Sequence, residues 1–154
     1  MTDIEVYDSF GRRTVFRGDQ LVSDTTDTDD RRKPQWLDID IWRTEGGSFV
    51  VKKAVQYRLV HATRGCRRAE GYDLRPAGRG DTHPCPACTP EALPPAGGWA
   101  QQPRVMVDAY RTPEDLIESL KVDGKFTRLS RALLADLSDA DERINALWNT
   151  VVVD

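Results

Sequence analysis

The stretch WLDIDIWRTEGGSFVVKKAVQYRLVH, residues 36–61, carries the clearest structural pattern in the chain. Leucine and isoleucine alternate with aspartate and tryptophan over residues 36–43, and a second alternating stretch, residues 48–61, follows a Glu-Gly-Gly turn. A period of two on both sides of a glycine turn predicts two adjacent antiparallel strands. In the returning strand His61 falls on the same face as Leu59 and Tyr57, so we expect it to end the apolar face.

The residues before this hairpin also have the sequence pattern of β-strands. Ile4–Tyr7 and Thr14–Arg17 are short, rich in β-branched and aromatic side chains, and punctuated by glycine. Residues 1–61 are therefore predicted to form an antiparallel β-sheet. Within them, residues 24–34 contain no apolar side chain and end in proline, which predicts an exposed acidic loop.

Residues 62–104 have a different character, because proline and glycine are frequent there and the apolar periodicity disappears. A loop of this length within a domain is uncommon unless it has a function or is disordered. We therefore predict a loop that is organised by something other than its own secondary structure.

The last part of the chain, residues 105–154, is predicted to be helical. A first helix begins at Thr112-Pro113, where threonine can cap and proline fits the first turn. Apolar side chains spaced by three and four over residues 126–137 predict a second helix, and a third opens within residues 138–142. The chain of 154 residues should thus form a single α+β domain, with the sheet of residues 1–61, a zinc-stapled loop and three helices packed on the sheet.

All three cysteines and both histidines of the chain lie between His61 and Cys88. Cys85 and Cys88 form a C-x2-C pair, and His61 and Cys66 form an H-x4-C pair, with 18 residues between Cys66 and Cys85. Two short pairs around a spacer of about 15–20 residues are typical of zinc sites. We therefore predict that these four residues bind a structural Zn²⁺ ion.

Other assignments of these residues remain open. His83 is an alternative fourth ligand in place of His61, although it lies only two residues from Cys85 and the two would compete for space. The three cysteines could also be unrelated thiols, or Cys85 and Cys88 a redox pair, but a redox C-x-x-C usually opens a helix and the following Thr-Pro-Glu is loop-like.

The run Pro84-Cys85-Pro86-Ala87-Cys88 resembles the P-C-x-x-C half of the zinc nucleobase deaminases, and His61 lies upstream, where an H-x-E half is expected. The resemblance covers only these residues and implies a zinc-dependent deaminase or hydrolase. Thr63 stands where that family has its proton-transferring glutamate. Four protein ligands without this carboxylate favour a structural ion over a catalytic one, so we expect a protein that is not an enzyme.

Arginines are concentrated around the predicted metal site. Residues 58–79 contain six arginines but only two carboxylates, although the whole chain carries 22 basic and 25 acidic residues and a net charge of −3. Such a basic segment can bind an anionic partner. The predicted partner-binding residues are Arg64, Arg67, Arg68, Arg75 and Arg79.

The composition limits the protein's class. No apolar run exceeds four residues and the N-terminus has no basic start, so neither a signal peptide nor a membrane span is expected. An odd number of cysteines favours a reducing compartment, and we expect the cytoplasm. The sequence therefore predicts a small cytoplasmic zinc-binding adaptor or accessory protein whose arginine-rich loop binds a protein or a nucleic acid.

Overall fold

A computed structural model describes residues 1–27, 33–88 and 97–153. Its strands follow in chain order as β1 (Thr2–Tyr7), β2 (Arg13–Thr25), β3 (Gln35–Thr44), β4 (Phe49–Tyr57), β5 (Leu59–His61), β6 (Leu74–Pro76), β7 (His83–Pro84), β8 (Trp99–Gln101), β9 (Arg104–Tyr110), β10 (Lys121–Val122) and β11 (Lys125–Phe126). The helices are α1 (Pro113–Ser119), α2 (Arg128–Ala140) and α3 (Glu142–Val153), and a 3-10 turn covers Arg67–Ala69. The predicted α+β class is confirmed.

Two sheets account for most of the strands. One has the order β1-β2-β3-β4-β9, and the other, built from short strands, has the order β6-β8-β5-β7. Strands β1 and β2 pair in antiparallel fashion, with Thr2 opposite Gly18. A Cβ atom on Gly18 would overlap the backbone carbonyl of Arg43, so this close approach requires glycine.

The chain divides into two compact units. The first contains the described residues of Met1–Asp24, Ile39–Lys53 and Met106–Asp154, and the second contains those of Thr25–Asp38 and Ala54–Val105. That residues 1–154 form a single domain stays a prediction.

The core of the first unit joins strand and helix side chains. Its buried members are Val22, Ile39, Ile41, Phe49, Val51, Leu116, Ile117, Leu120, Leu133, Leu134, Leu137 and Ile144. The predicted packing of the helical segment against the sheet is thereby found in this unit. None of the helices among the described residues combines the length and the apolar character needed to cross a bilayer.

The helix boundaries are set by side-chain caps. Thr112 accepts a hydrogen bond from the amide of Asp115 and begins α1 as predicted. The third helix begins at Glu142, the last residue of the predicted segment 138–142, because α2 continues to Ala140. The carboxylate of Asp141 then accepts the amides of Arg143 and Ile144, which caps α3.

Three features differ from the sequence-based expectations. The returning strand of the central hairpin is interrupted at Arg58, whose amide donates to Pro34 and whose carbonyl accepts the amide of His83, so that β5 enters the second sheet. Residues 62–104 contain β6, β7 and β8 and are therefore not a structureless loop. The segment predicted to be helical from residue 105 starts within β9, where buried Val107 between exposed neighbours shows the strand period. Five of the eleven residues of the predicted acidic loop, residues 28–32, lie outside the described residues, and its first two residues belong to β2.

Candidate metal centre

Four side chains converge in the second unit. One ligand atom from each of His61, Cys66, Cys85 and Cys88 lies within 4.8 Å of every other, a group that can hold a metal ion. His61 and Cys85 are fully buried, Cys66 is nearly so, and Cys88 is partly exposed. The structure thus brings together the four residues that the sequence favoured.

The short parallel pairing of β5 with β7 explains this convergence. Leu59 lies opposite His83 in the register, and Val60 lies opposite Pro84. The amide of the next residue, Cys85, donates to the carbonyl of Val60 at 2.8 Å. Cys85 is therefore placed beside His61. His83 lies two residues back along an extended strand, roughly 6.6 Å away, and is not a member of the group.

A tight turn brings the second cysteine of the C-x2-C pair onto the same centre. The amide of Cys88 donates to the carbonyl of Cys85 at 3.3 Å, and the amide of Ala62 donates to Cys88 Sγ at 3.2 Å. On the opposite side, Cys66 Sγ lies 4.0 Å from Cys85 Sγ. Loop backbone from both ligand pairs therefore shapes the site.

A residue that the sequence reasoning missed orients the histidine. Gln101 on β8 is buried, and its Oε1 lies 2.8 Å from His61 Nε2. Because that amide oxygen can only accept, Nε2 carries the proton. Nδ1 then faces the cysteines, 3.8 Å from Cys88 Sγ, and is the ring nitrogen that would bind a metal ion once it carries no proton.

The thiols at this centre differ in acidity. Burial by itself would raise the pKa of Cys88, but hydrogen bonds from the Ala62 amide and from His61, Cys66 and Cys85 outweigh it and lower the pKa to about 7. For Cys85, burial prevails over hydrogen bonds from the amides of Ala87 and Cys88, and its pKa is raised. The centre therefore offers one thiol that is readily deprotonated near neutral pH.

We expect Gln101→Leu to weaken metal binding by about 10–100-fold, because the histidine loses the group that sets its tautomer and its orientation. Competition with a chromogenic chelator measures the affinity. Gln102→Leu is the matched control, since the Gln102 side chain has no hydrogen bond among the described residues, and it should bind as the parent protein does. Equal affinities for the two variants would contradict the orienting role of Gln101.

The predicted arginines are not equivalent in the structure. Arg75 forms a two-pronged ion pair with Asp81, at 3.0 and 3.2 Å, so it is engaged within the protein. Arg58, which contributed to the local charge excess, is buried and pairs with Asp27 at 2.6 Å. When these two paired arginines are left out of the count, residues 58–79 contain four arginines and two carboxylates, an excess of two positive charges.

Arg64, Arg67, Arg68 and Arg79 are exposed and form no ion pair within the described part of the chain. Arg64 lies over the ring of Trp99, with its guanidinium carbon 4.8 Å from the ring centroid. Arg104, also missed, lies 3.9 Å over the ring of Tyr72 and donates to the carbonyl of Gly71. Such contacts hold guanidinium groups in place without neutralising their charge.

Comparisons of the chain with protein-family models, with curated proteins and with solved structures found no match. The function of the site is therefore inferred from its donor atoms and their surroundings.

Proposed function

We propose that the protein binds one structural Zn²⁺ ion and that the ion holds an arginine-bearing segment in the conformation that binds an anionic partner. The observation that carries this proposal is the convergence of four donor atoms, three of them sulfur, within 4.8 Å. Sulfur and imidazole donors in sets of four are the set that zinc prefers, whereas calcium and magnesium prefer oxygen.

The donor spacing supports the choice of zinc. In a tetrahedral site with Zn–S bonds of about 2.3 Å, neighbouring sulfur atoms lie about 3.8 Å apart. The Cys66–Cys85 sulfur distance is 4.0 Å, and the distance from Cys88 Sγ to His61 Nδ1 is 3.8 Å. All donor pairs lie within 4.8 Å, so the donors would have to close by up to about 1 Å to surround the ion.

A structural role fits the surroundings better than a catalytic one. Catalytic zinc usually has three protein ligands and leaves one position for water, but four are present here. Of the two carboxylates that could act as a general acid or base, Asp81 is paired with Arg75 and accepts the amide of Gly78. The other, Glu70, is exposed near Cys66, so the ligand count carries the assignment. We therefore assign the protein to the class of small zinc-binding accessory proteins or adaptors, and we place its action in the cytoplasm.

Elemental analysis of freshly purified protein should find about one zinc per chain. His61→Ala and Cys85→Ala should each reduce the zinc content severely, whereas His83→Ala should retain it, because only the first two residues belong to the converging group. A zinc content well below one per chain in the parent protein would refute the proposal.

The structural role has its own test. Cytidine, adenosine and simple ester substrates are incubated with the zinc-loaded protein and with the chelated protein, and no zinc-dependent turnover is expected. Robust turnover that is lost on chelation would overturn the structural assignment in favour of a zinc-dependent hydrolase or deaminase.

A further inference from the structure

A shallow cleft lies directly beside the metal centre. Its volume is about 310 Å³, and it is lined by Arg64, Gly65, Cys66, Arg67 and Glu70. This volume is near the lower end of the range for small-molecule sites, about 300–1,000 Å³. Cys66 belongs to both the cleft and the ligand group, so the ion that we propose would fix one wall of the cleft.

The cleft presents two positive charges to solvent. Arg64 and Arg67 are exposed and have no ion pair among the residues that the structure describes. The contact with Trp99 restrains the Arg64 guanidinium, which reduces the entropy lost on binding. Two guanidinium groups flanking one cleft suit a phosphate group, which they can contact with paired hydrogen bonds.

Glu70 adds a requirement that simple phosphate does not meet. Its exposed carboxylate lines the same cleft and forms no ion pair within the described ranges, so it would repel a ligand that is only anionic. A suitable ligand must therefore carry a hydrogen-bond donor close to its phosphate. A nucleotide whose base has an exocyclic amine meets both conditions, because a glutamate accepts well from such an amine.

We infer that this cleft binds one nucleotide of a single-stranded nucleic acid, with Arg64 and Arg67 on the phosphate and Glu70 on the exocyclic amine of the base. A single strand is required because its base edges are free, whereas a duplex hides them in base pairs. The inference rests on the proposed function, since the arginines flank the zinc ligand Cys66. It adds the chemical class of the partner and a base preference.

Fluorescence anisotropy with labelled RNA of about 12 nucleotides tests this inference, because sites for single strands span about 4–16 nucleotides. The zinc-loaded protein is titrated with oligocytidine and with oligouridine at several salt concentrations. We expect tighter binding of oligocytidine, because uridine presents a carbonyl oxygen where cytidine has its amine, and binding should weaken as salt rises. Absence of binding at low salt would overturn the inference.

Two double variants distinguish binding in the cleft from general attraction of RNA by exposed positive charges. Arg64→Ala combined with Arg67→Ala should weaken oligocytidine binding about tenfold or more, or about 1.4 kcal/mol. The matched control removes two exposed arginines of α2 that form no ion pair with any described residue, Arg128 and Arg131, and should change the affinity less than about twofold. Equal losses in the two double variants would show that the cleft is not the binding site.

Glu70→Ala should abolish the preference for oligocytidine over oligouridine, and an unchanged preference would contradict the role of Glu70.

Stronger binding of a phosphoserine peptide than of either RNA would overturn the nucleic-acid assignment in favour of a phosphoprotein. Zinc is measured on every sample. A zinc-loaded protein that binds no RNA refutes the cleft inference alone, whereas a protein without zinc refutes the proposed function.

Discussion

Removal of zinc by a chelator should expose the backbone amides of residues 59–61, 66–88 and 99–101 to hydrogen exchange, while the amides of α2 keep their protection. Binding of a structural zinc ion contributes about 10–16 kcal/mol in small zinc peptides. The local loss of protection should therefore amount to several orders of magnitude. Hydrogen–deuterium exchange followed by mass spectrometry measures it segment by segment.

The two apolar clusters explain why the response should be local. Around the metal centre the buried cluster consists of Cys66, Ala69 and Cys85, with Leu59, Leu74 and Cys88 packed against it. Half of these side chains are proposed metal ligands, so little other apolar surface would remain to hold the strands once the ion is lost. The core of the first unit contains no cysteine or histidine and is built from larger aliphatic side chains and Phe49.

Two controls accompany this experiment. Added zinc should restore the protection, and added magnesium should not, since thiolate and imidazole ligands discriminate against it. Loss of protection in α2 at the same chelator concentration would contradict a role limited to the second unit. Unchanged exchange in every segment would contradict the metal assignment itself.

Asp141→Ala should lower the free energy of unfolding by about 2–3 kcal/mol, the largest effect that we expect from a single substitution outside the metal centre. The Asp141 carboxylate is buried, accepts the amides of Arg143 and Ile144, and pairs with Arg43 at 3.1 Å. Alanine removes the helix cap and leaves the arginines without their carboxylate. Urea denaturation followed by helical circular dichroism measures the loss.

The same carboxylate predicts a dependence on pH. Burial would raise its pKa, but the hydrogen bonds from Arg43 and from the amides of Ile144 and Arg143, together with the charge of Arg143, prevail and lower it. A lowered pKa in the folded state means that the stabilisation is present above about pH 4 and is lost as the pH falls through the folded-state value. The difference between Asp141→Asn and the parent protein should therefore shrink in acid.

Asp139→Ala is the matched control, because Asp139 is exposed, lies two residues away and forms no ion pair among the described residues. Its stability should stay within about 0.5 kcal/mol of the parent protein. Asp141→Asn keeps a side chain that caps well and should fall between Asp141→Ala and the parent. A stability of Asp141→Ala equal to that of Asp139→Ala would refute the capping network.

Local sequence was sufficient for features whose causes are local. The C-x2-C pair sets the distance between Cys85 and Cys88 by a single turn, and the apolar spacing of α2 follows from the helix period. β9 could also have been found, because Val105 and Val107 alternate with Met106 and Asp108. The three adjacent apolar side chains of residues 105–107 and the neighbouring helical signal concealed it.

The charge of the arginine segment could not be read from a count. Arg58 and Arg75 look like Arg64 and Arg67 in the sequence, but Asp27 and Asp81 neutralise them in the fold. These ion pairs join residues whose separation in the chain follows no fixed rule. Which arginines face solvent without a partner is therefore a property of the tertiary structure.

For this protein the sequence alone supplied the donor atoms of the candidate centre, because the chain holds all of its thiols and imidazoles between His61 and Cys88. Only the tertiary structure decided which histidine belongs to it. The pairing of β5 with β7 places Cys85 beside His61, and β8 brings Gln101 to orient the ring. Donor chemistry is a property of single residues, whereas donor geometry depends on strand register between distant segments.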